Sequence, residues 1–156
     1  MELSFETTIT HNIMSYLNNI DGVIMEKVKG EAECSGRADI NGCYKGRSVR
    51  IEVKTPDNRN KPSKKQLWNL WQWHKAGAIV MVVYSLEAVK SAFDIWSHST
   101  IAFPTESVIL VKEKNNCTSL IILPSEIGDV VFSELYNTYY KGDVDDIQDE
   151  TVGSPS

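Results

Sequence analysis

The sequence predicts one α/β domain in which a mixed sheet is flanked by helices. Three observations support this prediction. An amphipathic stripe opens the chain, several apolar runs of strand length follow it, and a fully apolar run over 78–84 lies between two further amphipathic stretches. With 156 residues, the chain is long enough for one buried core and too short for two ordinary domains.

A helix and a strand are predicted at the start of the chain. Apolar side chains recur every three or four positions between Phe5 and Ile20, which predicts an amphipathic helix over residues 4–19. The pair Asp21-Gly22 ends this helix, because glycine readily adopts the left-handed conformation that closes helices. The run VIMEKVK that follows predicts the first strand.

Two strands joined by a tight turn are predicted in the segment RADINGCYKGRSVRIEVK. The turn can lie at Asn41-Gly42, which is the stronger dipeptide signal, or at Lys45-Gly46, which allows longer strands. A two-residue turn at Lys45-Gly46 pairs residues whose numbers add up to 91. It therefore places Asp39 opposite Glu52, with Cβ atoms roughly 5 Å apart.

The remaining elements follow in order along the chain. Pro62-Ser63 precedes a second predicted helix, KKQLWNLWQWHKAG, and AIVMVVY has the composition of a strand buried on both faces. SLEAVKSAFDIW predicts a third helix. SVILVKEKNNCTSLIILP predicts a hairpin that turns at Asn115-Asn116, and SEIGDVVFSELYNTYYK predicts a last helix.

These elements divide the chain into three parts. We predict a core over 1–98, an extension over 99–141 that packs on the core or on a dimer partner, and an acidic tail over 142–156. The tail holds five acidic residues and no Lys or Arg, so it alone accounts for the net charge of −5. We expect the tail to be disordered, because it has little apolar surface to bury.

Composition excludes several classes of protein. The longest apolar runs are much shorter than the roughly 20 residues of a membrane span, and the N-terminus lacks the basic and apolar segments of a secretory signal. The three cysteines are not clustered, which argues against a disulfide framework and against a zinc site. We therefore expect a protein of the reducing cytoplasm, with no membrane partner and no small-molecule cofactor.

Positive charge is concentrated in one stretch of the chain. Residues 36–75 hold ten Lys or Arg and three acidic residues, although the whole chain is acidic. A basic surface of this kind suits a phosphate backbone. We predict DNA contacts from five of these cations: Arg37, Arg59, Lys61, Lys64 and Lys65.

Catalytic chemistry is predicted where the third strand ends. Glu52 and Lys54 point to the same face, outward or into a cleft, whereas Val53 points into the core. Asp39 and Glu52 repel each other unless a hard divalent cation joins them, and carboxylates, a backbone carbonyl and water are ligands that Mg²⁺ or Mn²⁺ accepts. Lys54 can hold a phosphate oxygen or stabilise developing charge. Asp39, Glu52 and Lys54 together predict metal-dependent cleavage of phosphodiesters. Glu52 and Lys54 alone would also be compatible with an ordinary solvated strand face that carries a salt bridge.

Other polar and aromatic residues are candidates with alternatives of their own. Gln66 flanks the apolar stripe of the second helix and can reach the sheet edge, or it is an ordinary surface residue. Glu6 borders the first stripe, where a solvated first-turn acid is the alternative. Trp68 and Trp73 flank the second stripe and can stack on bases. His74 lies on that stripe, which predicts a buried histidine with a hydrogen-bond partner.

These motifs resemble those of a known nuclease family. The segments GRADI, CYKGRSVRIEVKTPDNRNKPSKKQ and KAGAIVMVVYS are similar in order and spacing to VRR-NUC (virus-type replication-repair nuclease) domains of the PD-(D/E)XK superfamily, over roughly residues 5–97. The resemblance implies an α-β-β-β-α-β core and a DNA nuclease that uses Mg²⁺ or Mn²⁺. The chain departs from the pattern at Ala38, where many relatives have proline, but this removes no ligand.

The resemblance also implies roles for individual residues. Lys54 would be the catalytic lysine, and Gln66 would help to orient the site. The residues implied as metal ligands are Asp39, Glu52, Val53 through its backbone carbonyl, and Glu6.

Standalone domains of this kind resemble phage-type Holliday-junction resolvases. The resemblance therefore implies a homodimer that cuts branched or duplex DNA in the cytoplasm of a bacterium or of a phage-infected host. Two alternatives remain open. One is another nuclease of the superfamily that cuts flaps, nicks DNA or acts as a restriction enzyme, and the other is a DNA-binding module that kept the fold without the activity.

Overall fold

The computed structural model describes residues 5–28, 36–56, 61–98, 108–124 and 128–140. A short 3-10 helix, Lys114–Asn116, joins the last two strands. The other elements in these ranges are α1 (Phe5–Leu17), β1 (Val23–Lys27), β2 (Ile40–Tyr44), β3 (Arg47–Val53), α2 (Lys64–Lys75), β4 (Ile79–Val83), α3 (Leu86–His98), β5 (Val108–Lys112), β6 (Thr118–Ile122) and α4 (Gly128–Tyr140).

The six strands form one mixed sheet in the spatial order β1-β2-β3-β4-β6-β5. Only β3 and β4 are parallel neighbours among these strands. The helix α2 makes the crossover between them, as a parallel pair requires. The predicted α/β class, a mixed sheet flanked by helices, is confirmed.

The hairpin between β2 and β3 turns at Lys45-Gly46 and pairs Tyr44 with Arg47, which confirms the register predicted for that turn. Both turn residues have positive φ, 47° and 84°, as a two-residue hairpin loop prefers. Gly42, part of the competing turn signal, lies inside β2 instead. Glycine is needed there because a Cβ would lie 2.0 Å from the carbonyl oxygen of Ile24 in the neighbouring strand.

Helices cover both faces of the sheet and create two apolar cores. The strand β4 is buried along its whole length, as predicted. The larger core, beneath α1 and α3, includes Ile13, Tyr44, Ile51, Met81 and Phe93. The smaller core, beneath α2 and α4, includes Leu70, Val80, Ile122 and Phe132.

The chain beyond residue 98 extends the same sheet. β5 and β6 form a hairpin, and β6 pairs with β4. The predicted turn at Asn115 is confirmed by its positive φ of 58°, and α4 packs against α2. The described part of the extension therefore packs on its own core, while the predicted tail over 142–156 lies outside the described residues.

The first helix is shorter than the predicted span of residues 4–19. It ends at Leu17, because the side chain of Asn18 bonds to both backbone groups of Met25 in β1, at 2.9 and 3.2 Å. Asparagine side chains compete with helical hydrogen bonds in this way. Across the described ranges, none of the helices has the length and apolar character needed to cross a bilayer.

Candidate functional site

β2 and β3 diverge at one end of the sheet, and the predicted acidic pair lies there. The ladder between them ends at Ile40 and Ile51. On the side of β1, the backbone pairing continues one residue beyond Ile40, because Val28 N donates a hydrogen bond to Asp39 O at 2.8 Å. On the inner side, β3 continues alongside β4. Asp39 and Glu52 therefore belong to two segments that separate at this point.

Glu52 is almost completely buried, with 1 % of its side chain exposed. Its Oε1 accepts a hydrogen bond from Gln66 Nε2 at 2.8 Å and lies 3.5 Å from Lys54 Nζ. Its Oε2 is buried and has no hydrogen-bond partner among the described residues. Burying a polar oxygen without a partner costs free energy, so this oxygen marks a place for a proton or a cation.

The pKa of Glu52 also indicates that the carboxyl pair requires a proton or a cation. Burial raises the pKa of Glu52 to about 9, and the negative charge of Asp39 adds to this effect, whereas the positive charge of Lys54 opposes it. Without a cation, the pair therefore holds a proton at neutral pH. A divalent cation can take the place of that proton, because it favours the ionised form of both carboxyl groups.

Asp39 is held by the backbone of the facing strand. Its Oδ2 accepts a hydrogen bond from Val53 N at 2.8 Å, which joins the two segments where they diverge. The regular ladder ends one pair before the predicted partners Asp39 and Glu52, yet Asp39 lies close enough for its charge to raise the pKa of Glu52. The role of the Val53 carbonyl as a metal ligand stays a prediction.

Lys54 follows β3 directly, and its backbone N donates to Val83 O at 2.9 Å. The contact between its ammonium group and Glu52 confirms that the two side chains share a face. That face is not a solvated one. Because α2 packs against it, Glu52 is buried and Lys54 is only 13 % exposed.

Gln66 joins the start of α2 to the site. Its backbone N donates to Ser63 Oγ at 3.0 Å, and its side-chain Oε1 accepts from Ser63 N at 2.8 Å, which forms a capping box. In this capping box, the side-chain oxygen of Gln66 is used for the hydrogen bond from Ser63 N. The nitrogen of the same amide is therefore directed to Glu52.

Glu6 lies half-buried in the first turn of α1. Its negative charge contributes to the raised pKa of Glu52, which places it within electrostatic reach of the carboxyl pair. Within the described ranges, no group of three or more His, Cys, Asp or Glu side chains is arranged to hold a metal ion. The role of Glu6 as a further ligand stays a prediction.

The donor set fits a hard divalent cation. Mg²⁺ is commonly held by one or two carboxylates, while water and substrate phosphate fill its other positions. Asp39 and Glu52 provide two carboxylates, and the unpartnered Oε2 of Glu52 provides a buried oxygen that needs positive charge. The residues present are therefore compatible with Mg²⁺ or Mn²⁺.

Two of the predicted DNA contacts lie near the start of α2. Lys65 is exposed, and its side chain lies across Gly36, where an added Cβ would be 2.6 Å from the Lys65 Cγ atom. Arg37, also exposed, follows Gly36 directly. The segment that leads to Asp39 therefore runs against α2, whereas Arg59 lies outside the described residues.

Lys61 precedes α2 and Lys64 begins it, and both were also predicted to contact DNA. Their side chains contact the C-terminal end of α4. Lys61 Nζ donates to Tyr139 O at 2.7 Å and lies 4.4 Å from the centroid of the Tyr140 ring. Lys64 Nζ lies 5.3 Å from the same centroid. These contacts tie α4 to the segment before α2, so both lysines have a structural role whether or not they contact DNA.

The aromatic and histidine candidates on α2 differ in their surroundings. His74 is buried and its Nε2 lies 3.0 Å from Leu123 O, as predicted for a histidine with a hydrogen-bond partner. Trp71 stacks on Phe132 of α4. Trp73 remains 36 % exposed.

Arg50 is a further candidate that the sequence analysis missed. Its guanidinium lies 3.5 Å from the centroid of the Trp73 ring. Burial lowers the pKa of Arg50, and the positive charge of Arg37 lowers it further. The alternation that places Glu52 and Lys54 on one face of the strand also places Arg50 there, and this was the available signal.

Asp39, Glu52, Lys54 and Gln66 thus meet where β2, β3 and the start of α2 come together. The arrangement combines two carboxyl groups, a cation and an amide that holds one carboxyl in place. No protein-family model, curated protein or solved structure matches the chain. Its function is therefore inferred from its own residues.

Proposed function

We propose that the protein is a metal-dependent DNA endonuclease of the VRR-NUC type with a PD-(D/E)XK core. One observation carries the proposal: the buried carboxyl group of Glu52 has an unpartnered oxygen, beside Asp39 and in contact with Lys54. The element order α-β-β-β-α-β from α1 to β4 agrees with the core that the resemblance implies.

In this proposal, Asp39, Glu52 and the Val53 carbonyl hold Mg²⁺ or Mn²⁺. The cation would supply an activated water and screen the charge of the scissile phosphate. Lys54 would bind a phosphate oxygen and stabilise the charge that develops on the phosphate in the transition state. Gln66 would keep the Glu52 carboxyl in one orientation through its 2.8 Å hydrogen bond.

The proposed substrate is branched DNA, cut by a homodimer in the manner of a Holliday-junction resolvase. A single chain offers one such site, so symmetric cleavage of two strands needs a twofold dimer. Another superfamily nuclease, of the flap, nicking or restriction type, is the nearest alternative. A non-catalytic DNA-binding module is less well supported, because Asp39, Glu52 and Lys54 are all present and close together.

A cleavage panel tests this proposal. The full chain is incubated with a four-way junction, a flap, a splayed duplex and a linear duplex, in Mg²⁺, Mn²⁺, Ca²⁺ or EDTA. We expect cleavage in Mg²⁺ or Mn²⁺ and none in EDTA. Ca²⁺ should allow binding with little cleavage, because its looser shell positions water poorly. A Glu52→Gln preparation purified in parallel controls for contaminating nucleases.

The pattern of products separates the candidate functions. Symmetric cuts in the junction support the resolvase assignment, and cleavage confined to flaps or duplexes supports another superfamily nuclease. DNA binding without cleavage of any substrate would support the non-catalytic module. Full cleavage in EDTA would contradict the proposed metal site.

A further inference from the structure

Arg50 is a cation on the site face of the sheet with no assigned role. It lies two residues before Glu52 on β3, so the two Cα atoms are about 6.6 Å apart along the strand. Among the described residues, Arg50 has no ion-pair partner, and its Nε is buried without a hydrogen-bond partner. A buried donor without an acceptor costs free energy unless a ligand completes it.

The guanidinium of Arg50 is held in place by an aromatic ring. It stacks on Trp73 of α2 at 3.5 Å from the ring centroid. Stacking fixes the plane of the guanidinium group, so its N–H donors keep fixed directions within that plane. An oriented donor fork of this kind suits an anion with two acceptor oxygens.

A second uncommitted polar group lies beside it. Asn41 of β2 is the register partner of Arg50, and its Oδ1 is also buried without a hydrogen-bond partner in the described part of the chain. Arg37 lies close enough for its charge to act on Arg50. The positive charges of Arg37 and Arg50 add to each other here, so the ligand that fits this place is an anion.

We propose that Arg50, stacked on Trp73, and Arg37 bind the phosphate that neighbours the scissile phosphate on the same DNA strand. The identity of this anion as a DNA phosphate rests on the proposed nuclease function. The bound strand then runs along β3, with the scissile phosphate at Glu52 and Lys54 and the next phosphate at Arg50. Asn41 lies within the same row and hydrogen-bonds to the bound strand.

The anion site is tested first without DNA. Arginine Nε–H signals of the ¹⁵N-labelled full chain are followed by NMR while inorganic phosphate is added at constant ionic strength, with chloride as the reference. The Arg50 signal is identified by its loss in Arg50→Lys. We expect a saturable shift of this signal and none for Arg47, whose guanidinium already donates to Gly77 O at 3.2 Å. Equal responses of Arg50 and Arg47, or equal responses to phosphate and chloride, would overturn the inference.

DNA binding provides the second test, in EDTA so that cleavage does not interfere. Arg50→Gln should weaken binding and reduce the log–log salt slope by about 0.9, the value for one lost phosphate contact on duplex DNA. Lys75→Gln is the matched control, because Lys75 Nζ lies 4.5 Å above the ring of another α2 tryptophan, Trp71. Its affinity and slope should stay unchanged.

The outcomes separate this inference from the nuclease proposal. An Arg50→Gln protein with wild-type affinity and slope would overturn the inference even if the wild type cleaves DNA. If the cleavage panel showed no product, a phosphate-dependent Arg50 signal and a reduced slope would still support a DNA-phosphate site at Arg50, and only the nuclease proposal would fail.

Discussion

The side-chain amide of Gln66 connects Glu52 to the start of α2. Its Nε2 donates to Glu52 Oε1 at 2.8 Å, while its Oε1 accepts from Ser63 N at 2.8 Å. The capping box therefore determines which end of the amide reaches the sheet. One residue therefore both caps the start of the helix and orients the buried carboxyl group.

Gln66→Ala should reduce cleavage more than its effect on stability explains. It removes half of the capping box and the hydrogen bond to Glu52, each worth about 1 kcal/mol in stability. Ser63→Ala is the matched control, because it removes the other half of the box and leaves the Gln66 amide opposite Glu52. Single-turnover cleavage and urea unfolding are measured for both. Equal losses of cleavage in the two variants would mean that Gln66 acts only through the helix start.

Glu52→Gln should stabilise the metal-free protein increasingly as pH rises. The pKa of Glu52 is about 9 in the folded chain, against an ordinary value of 4.5. Between these values, the folded state holds a proton that the unfolded state has lost, so this group lowers the free energy of unfolding as pH increases. The glutamine side chain does not ionise, so the variant does not lose stability in this way. Its Tm in EDTA should match the wild type near pH 4.5 and exceed it progressively towards pH 9.

A surface substitution controls this experiment. Glu134 is exposed on α4, and Glu134→Gln should follow the wild-type stability curve across the same pH range. Parallel curves for wild type and Glu52→Gln would contradict the burial and charge crowding described for the carboxyl pair.

Mg²⁺ or Mn²⁺ should stabilise the wild type but not Glu52→Gln. A ligand that binds only the folded state adds about 2.7 kcal/mol to the free energy of unfolding at 100 times its Kd. The cation replaces a proton on the carboxyl pair, and this proton is released more easily as the pH approaches the Glu52 pKa of about 9. The Tm increase should therefore be larger at pH 8 than at pH 6. Thermal melts with and without the metal measure this. Equal metal-induced shifts in both proteins would place the cation elsewhere.

Much of the site follows from local sequence rules. The two-residue turn at Lys45-Gly46 sets the register of β2 and β3, and strand alternation puts Glu52 and Lys54 on one face. These rules depend only on nearby residues, so they predict that Asp39 and Glu52 meet. They do not predict that Glu52 is buried, because its burial depends on where α2 packs.

Contacts between distant elements could not be predicted in this way. Strand alternation places Arg50 on the site face, but its stacking on Trp73 could not be predicted, because Trp73 comes from a helix that begins beyond the next loop. Lys61 was predicted as a DNA contact from charge alone, whereas its hydrogen bond to Tyr139 depends on how α4 packs against α2. Such contacts are set by tertiary packing and leave no local pattern in the sequence.

The full chain should form a homodimer, as the resolvase assignment requires. Light scattering at micromolar concentration should give twice the chain mass of 17.6 kDa. The edge strand β5 offers Leu110, which is 63 % exposed, so Leu110→Lys should weaken a dimer formed there. Val130→Lys is the control, since Val130 is 59 % exposed on α4. A monomer with and without junction DNA would exclude the resolvase assignment and leave a nicking nuclease.

The most direct test of the central claim is single-turnover DNA cleavage by wild type, Asp39→Asn and Lys54→Ala in Mg²⁺ and in EDTA. We predict cleavage by the wild type in Mg²⁺ alone and no cleavage by Asp39→Asn. Lys54→Ala should lose roughly 10²–10³-fold in rate, as expected for the loss of one group that stabilises developing charge. All three proteins should bind DNA. Cleavage by Asp39→Asn and Lys54→Ala at the wild-type rate would contradict the proposal that these residues form the catalytic site.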